Sequence, residues 1–181
     1  MKFLELSKER FSVRKFSDKK VEKEKLDLIL EAGRNAPTAC NYQPQRILVL
    51  NDEKDLSKIS LCTPFQFHQQ LALLVCYDKT VSWKRKYDEK DEGEIDASIV
   101  ATHMMLQASE LEIGSTWVGH FDPEKIKEAY CIPENIIPVA ILLMGYPADD
   151  AVPNKLHYER LDIEQTVFYG SFENTEEEQV I

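Results

Sequence analysis

Glu9-Arg10-Phe11-Ser12-Val13-Arg14-Lys15-Phe16 is the stretch from which the rest of the chain is read. Arg10, Ser12 and Arg14 alternate with Phe11 and Val13. On an extended backbone, side chains two apart share a face. One face then carries two guanidinium forks and a hydroxyl, while Phe11 and Val13 anchor the other in a core. Guanidinium pairs bidentately with phosphate or carboxylate, so the pattern suits an anionic group. The alternative is a surface strand or turn whose charges face water, and short basic patterns of that kind are common.

On the N-terminal side, Phe3, Leu4 and Leu6 predict a short amphipathic helix that delivers Arg10. On the C-terminal side, residues 17–20 read as a turn and residues 22–34 as a helix. Leu26, Ile29, Leu30 and Gly33 fall at i, i+3, i+4 and i+7, one apolar face. Asn35-Ala36-Pro37 stops it, because the residue before proline leaves the helical region. A small polar loop follows, stiffened by Pro37 and Pro44, and then Arg46-Ile47-Leu48-Val49-Leu50, which reads as a buried strand. Asn51 or Asp52 caps a helix over 53–61. A second apolar strand is predicted over 71–77, and the aromatic and polar residues 62–70 between them carry no assignable pattern. Residues 78–93 form a charged loop holding Trp83 and Tyr87. Its acidic residues cancel the basic ones, so it reads as solvated, and its length also suits an active-site cover.

The longest helix is predicted over 94–112. Most of its circumference is apolar, which implies burial on several sides, either at the centre of the domain or against a partner chain. His103 within it has no metal-type residue at i+4 and reads as a hydrogen-bonded core or interface histidine. Gly114 reads as the helix C-terminal residue. A short strand over 115–118, a helix opened by Asp122-Pro123 and an apolar strand over 138–144 complete the pattern. Helices and apolar strands in irregular alternation indicate an α+β fold with a mostly antiparallel central sheet packed by helices. Residues 1–172 read as one domain and 173–181 as a frayed acidic tail.

The 181 residues suffice for a substantial core. A net charge of −10 argues against nucleic-acid or anionic-membrane binding. No apolar run approaches the ~20 residues of a membrane-spanning helix, and a cytoplasmic protein is expected. Cys40, Cys62, Cys76 and Cys131 are scattered and read as free, mostly packed thiols.

Arg10-x-Ser12-x-Arg14 together with Ala36-Pro37-Thr38-Ala39-x-Asn41-x-Gln43-Pro44 resembles the nitroreductase family of flavin enzymes. The resemblance continues through Gly114-Ser115-Thr116-Trp117-Val118-Gly119-His120-Phe121-Asp122-Pro123 and Met144-Gly145-Tyr146-Pro147 and ends near Tyr169. It implies an intertwined homodimer with one FMN per active site at the interface. Residues 163–172 would supply the arm that crosses onto the other copy. Arg10, Ser12 and Arg14 match the first FMN motif, with contacts to phosphate, ribityl chain and pyrimidine edge. Pro37, Thr38, Ala39 and Asn41 match the loop that the partner lays on the flavin, and Gln43 belongs to the same motif.

Gly119 and His120 take the positions whose backbone amides approach flavin N5, where a fixed donor favours the reduced, anionic form. Arg160 matches the C-terminal arginine that clamps the phosphate. The family's second cation, two residues earlier, is Tyr158 here, so His157 or Lys155 would substitute, and the family's tryptophan after Gln-Pro is Gln45. The implied activity is a ping-pong cycle in which NADH or NADPH reduces the flavin and a small-molecule oxidant, nitroaromatic, quinone or similar, reoxidises it. Trp83 and Phe65 are candidates for the opening, and the His120 ring is a candidate proton donor. Alternatives on the same fold are reductive dehalogenation, flavin cleavage, or FMN binding without catalysis.

Overall fold

The structure is a computed structural model that describes residues 2–172; the 173–181 tail lies outside the described residues. Its centre is a four-stranded antiparallel sheet in the order β1-β2-β4-β3. The strands are β1 (Gln45–Leu50), β2 (Leu71–Asp78), β3 (Gly114–Val118) and β4 (Ile136–Gly145). β2 and β4 are the inner pair, with Leu73 opposite Leu142 and Leu74 opposite Ile141. Their register slips between Val75 and Cys76, where the partner is Pro138, a residue with no N–H to give the ladder.

Alternation along β2 serves two cores. Leu71, Leu73 and Val75, with Leu142 and Met144, face α2 (Lys23–Arg34) and α4 (Gly93–Glu110). Ala72, Leu74 and Cys76, with Ile141 and Leu143, face α3 (Glu53–Cys62) and α5 (Pro123–Tyr130). A period of two on an inner strand with both faces covered is what makes the run continuously apolar. α1 (Phe3–Glu9) buries none of its residues, and Phe3 stays 70% exposed.

Three expectations change. β1 is an edge strand rather than a buried one: Arg46 and Leu48 face solvent and only Leu50 is fully buried. α4 buries Ala97, Val100, Ala101, Met104 and Ala108 on its inner side, whereas Ile95, Ile99, His103 and Leu106 line an open groove of about 970 Å³. His103 makes no hydrogen bond among the described residues. Gly114 does not end α4. Glu112 takes the left-handed position at φ 63°, and Gly114 opens β3. A Cβ at Gly114 would lie 2.6 Å from Cγ2 of Val13, so the close approach of the 10–16 segment is what requires glycine there.

Candidate active site

The first motif is extended and seated at the sheet edge. Ser12 bridges Ser115 in parallel, and the Val13 amide donates to the Ser115 carbonyl at 3.0 Å. Further along, Phe16 bridges Pro147, the Ala148 amide donates to the Lys15 carbonyl and the Ser17 amide to that of Tyr146. Val13 and Phe16 are buried and Phe11 packs at the rim of the same core. Arg10 is half-buried, while Arg14 is exposed with no hydrogen bond or ion pair among the described residues.

Arg10 is the electrostatic centre. Its Nη1 is buried and has no hydrogen-bond partner among the described residues. Burial and, secondarily, the charge of Arg160 pull its guanidinium below the ordinary arginine value. Two cations thus converge from opposite ends of the chain. The Phe11 ring meets that of His157 edge-on at 6.2 Å, which docks the C-terminal segment onto the motif. Arg160 Nη1 donates to the carbonyls of Glu159 at 2.6 Å and Leu156 at 3.3 Å. His157, a candidate second cation, spends its ring on Phe11 and Tyr158; Lys155 is exposed. Beside Arg10 opens a cavity of about 510 Å³ lined also by Phe11, Glu112, Ser115, Tyr146 and Pro147. The buried Ser115 hydroxyl, on the same cavity, has no hydrogen-bond partner among the described residues. Orphaned donors beside a cationic side chain fit a phosphate dianion, because each is costly until an anion is present.

Gly119 and His120 follow β3, four to five residues beyond Ser115, about 13–16 Å along the strand. Both are exposed. A Cβ on Gly119 would meet only Trp117, at 3.5 Å, so the corner is open on that side. The His120 ring stands edge-on to Phe65 at 5.9 Å, and Phe65 stacks on Phe67 at 6.3 Å. Trp83 makes no ring contact with this corner.

The 37–43 loop stands apart. Among the described residues, no hydrogen bond, ion pair or ring contact joins it to Arg10, Ser12, Arg14, Gly119, His120 or Arg160. Ala39, Cys40 and Asn41 form a single 3-10 turn. Cys40, Asn41 and Gln43 hold φ of 51°, 55° and 51°, three left-handed positions without glycine, with Tyr42 right-handed between the last two. Such residues persist only where their surroundings over-determine them. Here the Ala39 amide donates to the buried Asp96 carboxylate at 2.8 Å, and the Gln43 amide to the Thr38 hydroxyl at 3.1 Å. Pro37 is exposed. Asp96 Oδ2 and Gln45 Oε1 beside the loop are buried without hydrogen-bond partners among the described residues. Polar atoms are thus left unsatisfied both at Arg10 and beside the loop.

Sequence reasoning missed the role of residues 62–70. The Thr63 hydroxyl donates to the His120 carbonyl at 2.7 Å, the Asp122 amide donates to the Cys62 carbonyl at 2.8 Å, and the Phe16 amide donates to the Phe67 carbonyl at 3.2 Å. This irregular stretch ties the first motif to the Gly119–His120 corner. Its sequence has no periodicity to reveal it; the hydroxyl and the aromatics were the only signals. Cys62 and Cys76 are buried and Cys40 and Cys131 exposed, all free, and burial pushes the Cys76 thiol up to about 12. No group of His, Cys, Asp or Glu among the described residues is arranged to hold a metal. No helix there is long and apolar enough to cross a membrane.

The model of the nitroreductase family matches residues 7–89 and 64–146. A Methanothermobacter thermautotrophicus protein provisionally named NADH dehydrogenase/NAD(P)H nitroreductase is 30% identical over 175 residues, covering 88% of each chain. An Archaeoglobus fulgidus protein of the same name is 35% identical over 150 residues, 78% of this chain and 83% of that one. Among solved structures, a nitroreductase family protein from Clostridium difficile 630 superposes with a TM-score of 0.89 at 42% identity, covering 94% of this chain and 99% of that one. An FMN-dependent nitroreductase from Clostridium difficile R20291 gives 0.77 at 29% identity, covering 93% and 99%. With the whole α+β core matched and the motifs in order, this chain belongs to the nitroreductase family.

Proposed function

We propose that the protein is an FMN-dependent oxidoreductase that takes electrons from NADH or NADPH and passes them to nitroaromatic, quinone or related acceptors in a ping-pong cycle. The observation that carries this reading is the buried, unpartnered Arg10 Nη1 held beside Arg160. Arg10 and Arg160 hold the phosphate, with Ser12 and Arg14 completing the first motif. The amides of Gly119 and His120 supply fixed donors where negative charge develops, without titrating. When bound, FMN supplies the hydride chemistry itself. The exposed His120 ring, edge-on to Phe65, is the candidate proton donor to a bound acceptor.

The working unit is a homodimer. In one chain the 37–43 loop is separate from the cation pair, and a second copy would bring Pro37, Thr38, Ala39, Asn41 and Gln43 against it. The open apolar side of α4 supports this. So do Ile163, Tyr169 and Phe172, which are 66%, 93% and 87% exposed on an arm near the end of the described chain. Apolar area of that kind marks an interface.

Purified protein is expected to be yellow, to bleach anaerobically with NADH or NADPH, and to recolour on adding a quinone or nitroaromatic. Protein that cannot be loaded with FMN contradicts the reading. Tight loading without bleaching by either nicotinamide would leave only a binding role.

A further inference from the structure

The corner that carries Gly119 and His120 is clamped from the other side of the chain. Thr63 is the C-terminal cap of α3 and is 3% exposed. Its hydroxyl hydrogen goes to the His120 carbonyl at 2.7 Å, and its oxygen accepts the Phe65 amide at 3.3 Å. One side chain therefore sets both the peptide plane that follows His120 and the backbone under the Phe65 ring. One residue earlier, the Cys62 carbonyl accepts the Asp122 amide at 2.8 Å, and Asp122 in turn caps α5 by accepting from the amides of Glu124 and Lys125. The turn from His120 to Asp122 is thus held at both ends by the last residues of α3. A hydroxyl that both donates and accepts in a buried setting is not replaceable by a methyl group without orphaning a carbonyl and an amide.

We propose that Thr63 is a positioning residue. Through the His120 carbonyl it anchors the peptide that follows His120 and so limits rotation of the two amides before it, and through the Phe65 amide it fixes the aromatic wall beside the His120 ring. This inference rests on the FMN reading of that corner. Pre-set donors stabilise charge because nothing has to reorganise when it appears, so loosening the corner slows the electron-transfer half-reactions more than it weakens binding.

The test compares Thr63→Val, which keeps the shape and removes the hydroxyl, with Thr63→Ser, which keeps the hydroxyl. In the cofactor-free protein, hydrogen exchange of the Phe65 amide is expected to quicken about five- to tenfold in Thr63→Val and to stay at the wild-type rate in Thr63→Ser, the scale of one neutral hydrogen bond. In the FMN-loaded protein, flavin reduction at saturating NADH or NADPH falls by a similar factor in Thr63→Val, the nicotinamide KM moves less than twofold, and Thr63→Ser restores the rate. Should Thr63→Val not fold, Thr63→Cys carries the same comparison with a weak donor of similar size. Unchanged exchange and reduction rate in Thr63→Val overturn the proposal, and so does a Thr63→Ser variant as slow as Thr63→Val, which would mean packing rather than the hydroxyl. A wild-type protein that takes up no FMN refutes the cofactor reading instead, and the exchange comparison still decides the clamp.

Discussion

Arg10 shows how a single side chain divides legibility between sequence and structure. Its spacing from Ser12 and Arg14, and a shared phosphate with Arg160 150 positions away, were legible in the sequence; its burial was not. A buried, unpaired guanidinium is a cost in the free protein and a gain once an anion arrives. Arg10→Ala is therefore expected to weaken FMN binding about 10- to 100-fold, the scale of a hydrogen bond to a charged group. The melting temperature of the FMN-free protein should hold steady or rise. Fluorescence titration with FMN and a thermal melt check the two halves, and a lower melting temperature without FMN would show that the guanidinium is already satisfied in the free chain. Arg14, exposed and without a hydrogen bond or ion pair among the described residues, is expected to matter less for the phosphate than Arg10.

At the level of elements, the decisive junction is the 10–16 segment against β3. Gly114 permits it, since a Cβ there would collide with Val13. Gly114→Ala should destabilise by about 1–3 kcal/mol through overpacking, read in a urea melt, and FMN affinity should fall with it because the Ser12–Ser115 register moves. A second junction joins α2 to the end of β4. The Tyr146 hydroxyl donates to Glu22 at 2.7 Å while Lys19 sits 3.7 Å over its ring. The Tyr146 hydrogen bond, with Glu22's own backbone amide and Lys19, holds the Glu22 carboxyl at about 2, below its ordinary 4.5. A depressed carboxyl contributes stability that is full above its unfolded value and lost as pH falls toward the folded one. Glu22→Gln should thus be the less stable protein at neutral pH, with the difference from wild type closing between pH 4.5 and 2. Denaturant melts across that range measure it; a constant difference would mean that the carboxylate charge is irrelevant there.

The whole molecule poses the question of completeness. One chain builds the sheet, both cores, the cation pair and the Gly119–His120 corner. It leaves the strained 37–43 loop without a hydrogen bond or ion pair to that pair or corner among the described residues, and an apolar groove along α4. Ile95→Asp places a charge in that groove at a residue that is 45% exposed. It is expected to give a monomer by size-exclusion chromatography, folded by circular dichroism, with FMN retention reduced at least tenfold. A folded monomer that keeps FMN fully would show that the second copy contributes nothing to the site.

The residues alone determined the α+β class, the strands of the sheet and the order of the motifs, because periodicity and capping are local and survive in one dimension. α5 begins at Asp122-Pro123 as expected, with the Asp122 carboxylate accepting from the amides of Glu124 and Lys125. Tertiary structure decided what depends on contacts distant in sequence. It made β1 an edge strand, since an apolar run does not say how many neighbours it has. It moved the role of Gly114 from helix end to close approach, and gave unpatterned residues 62–70 the task of bracing the corner. It also split the outer and inner sides of α4, both of which carry apolar residues but which differ in what covers them, because burial is set by the neighbours that folding brings and not by the residue itself.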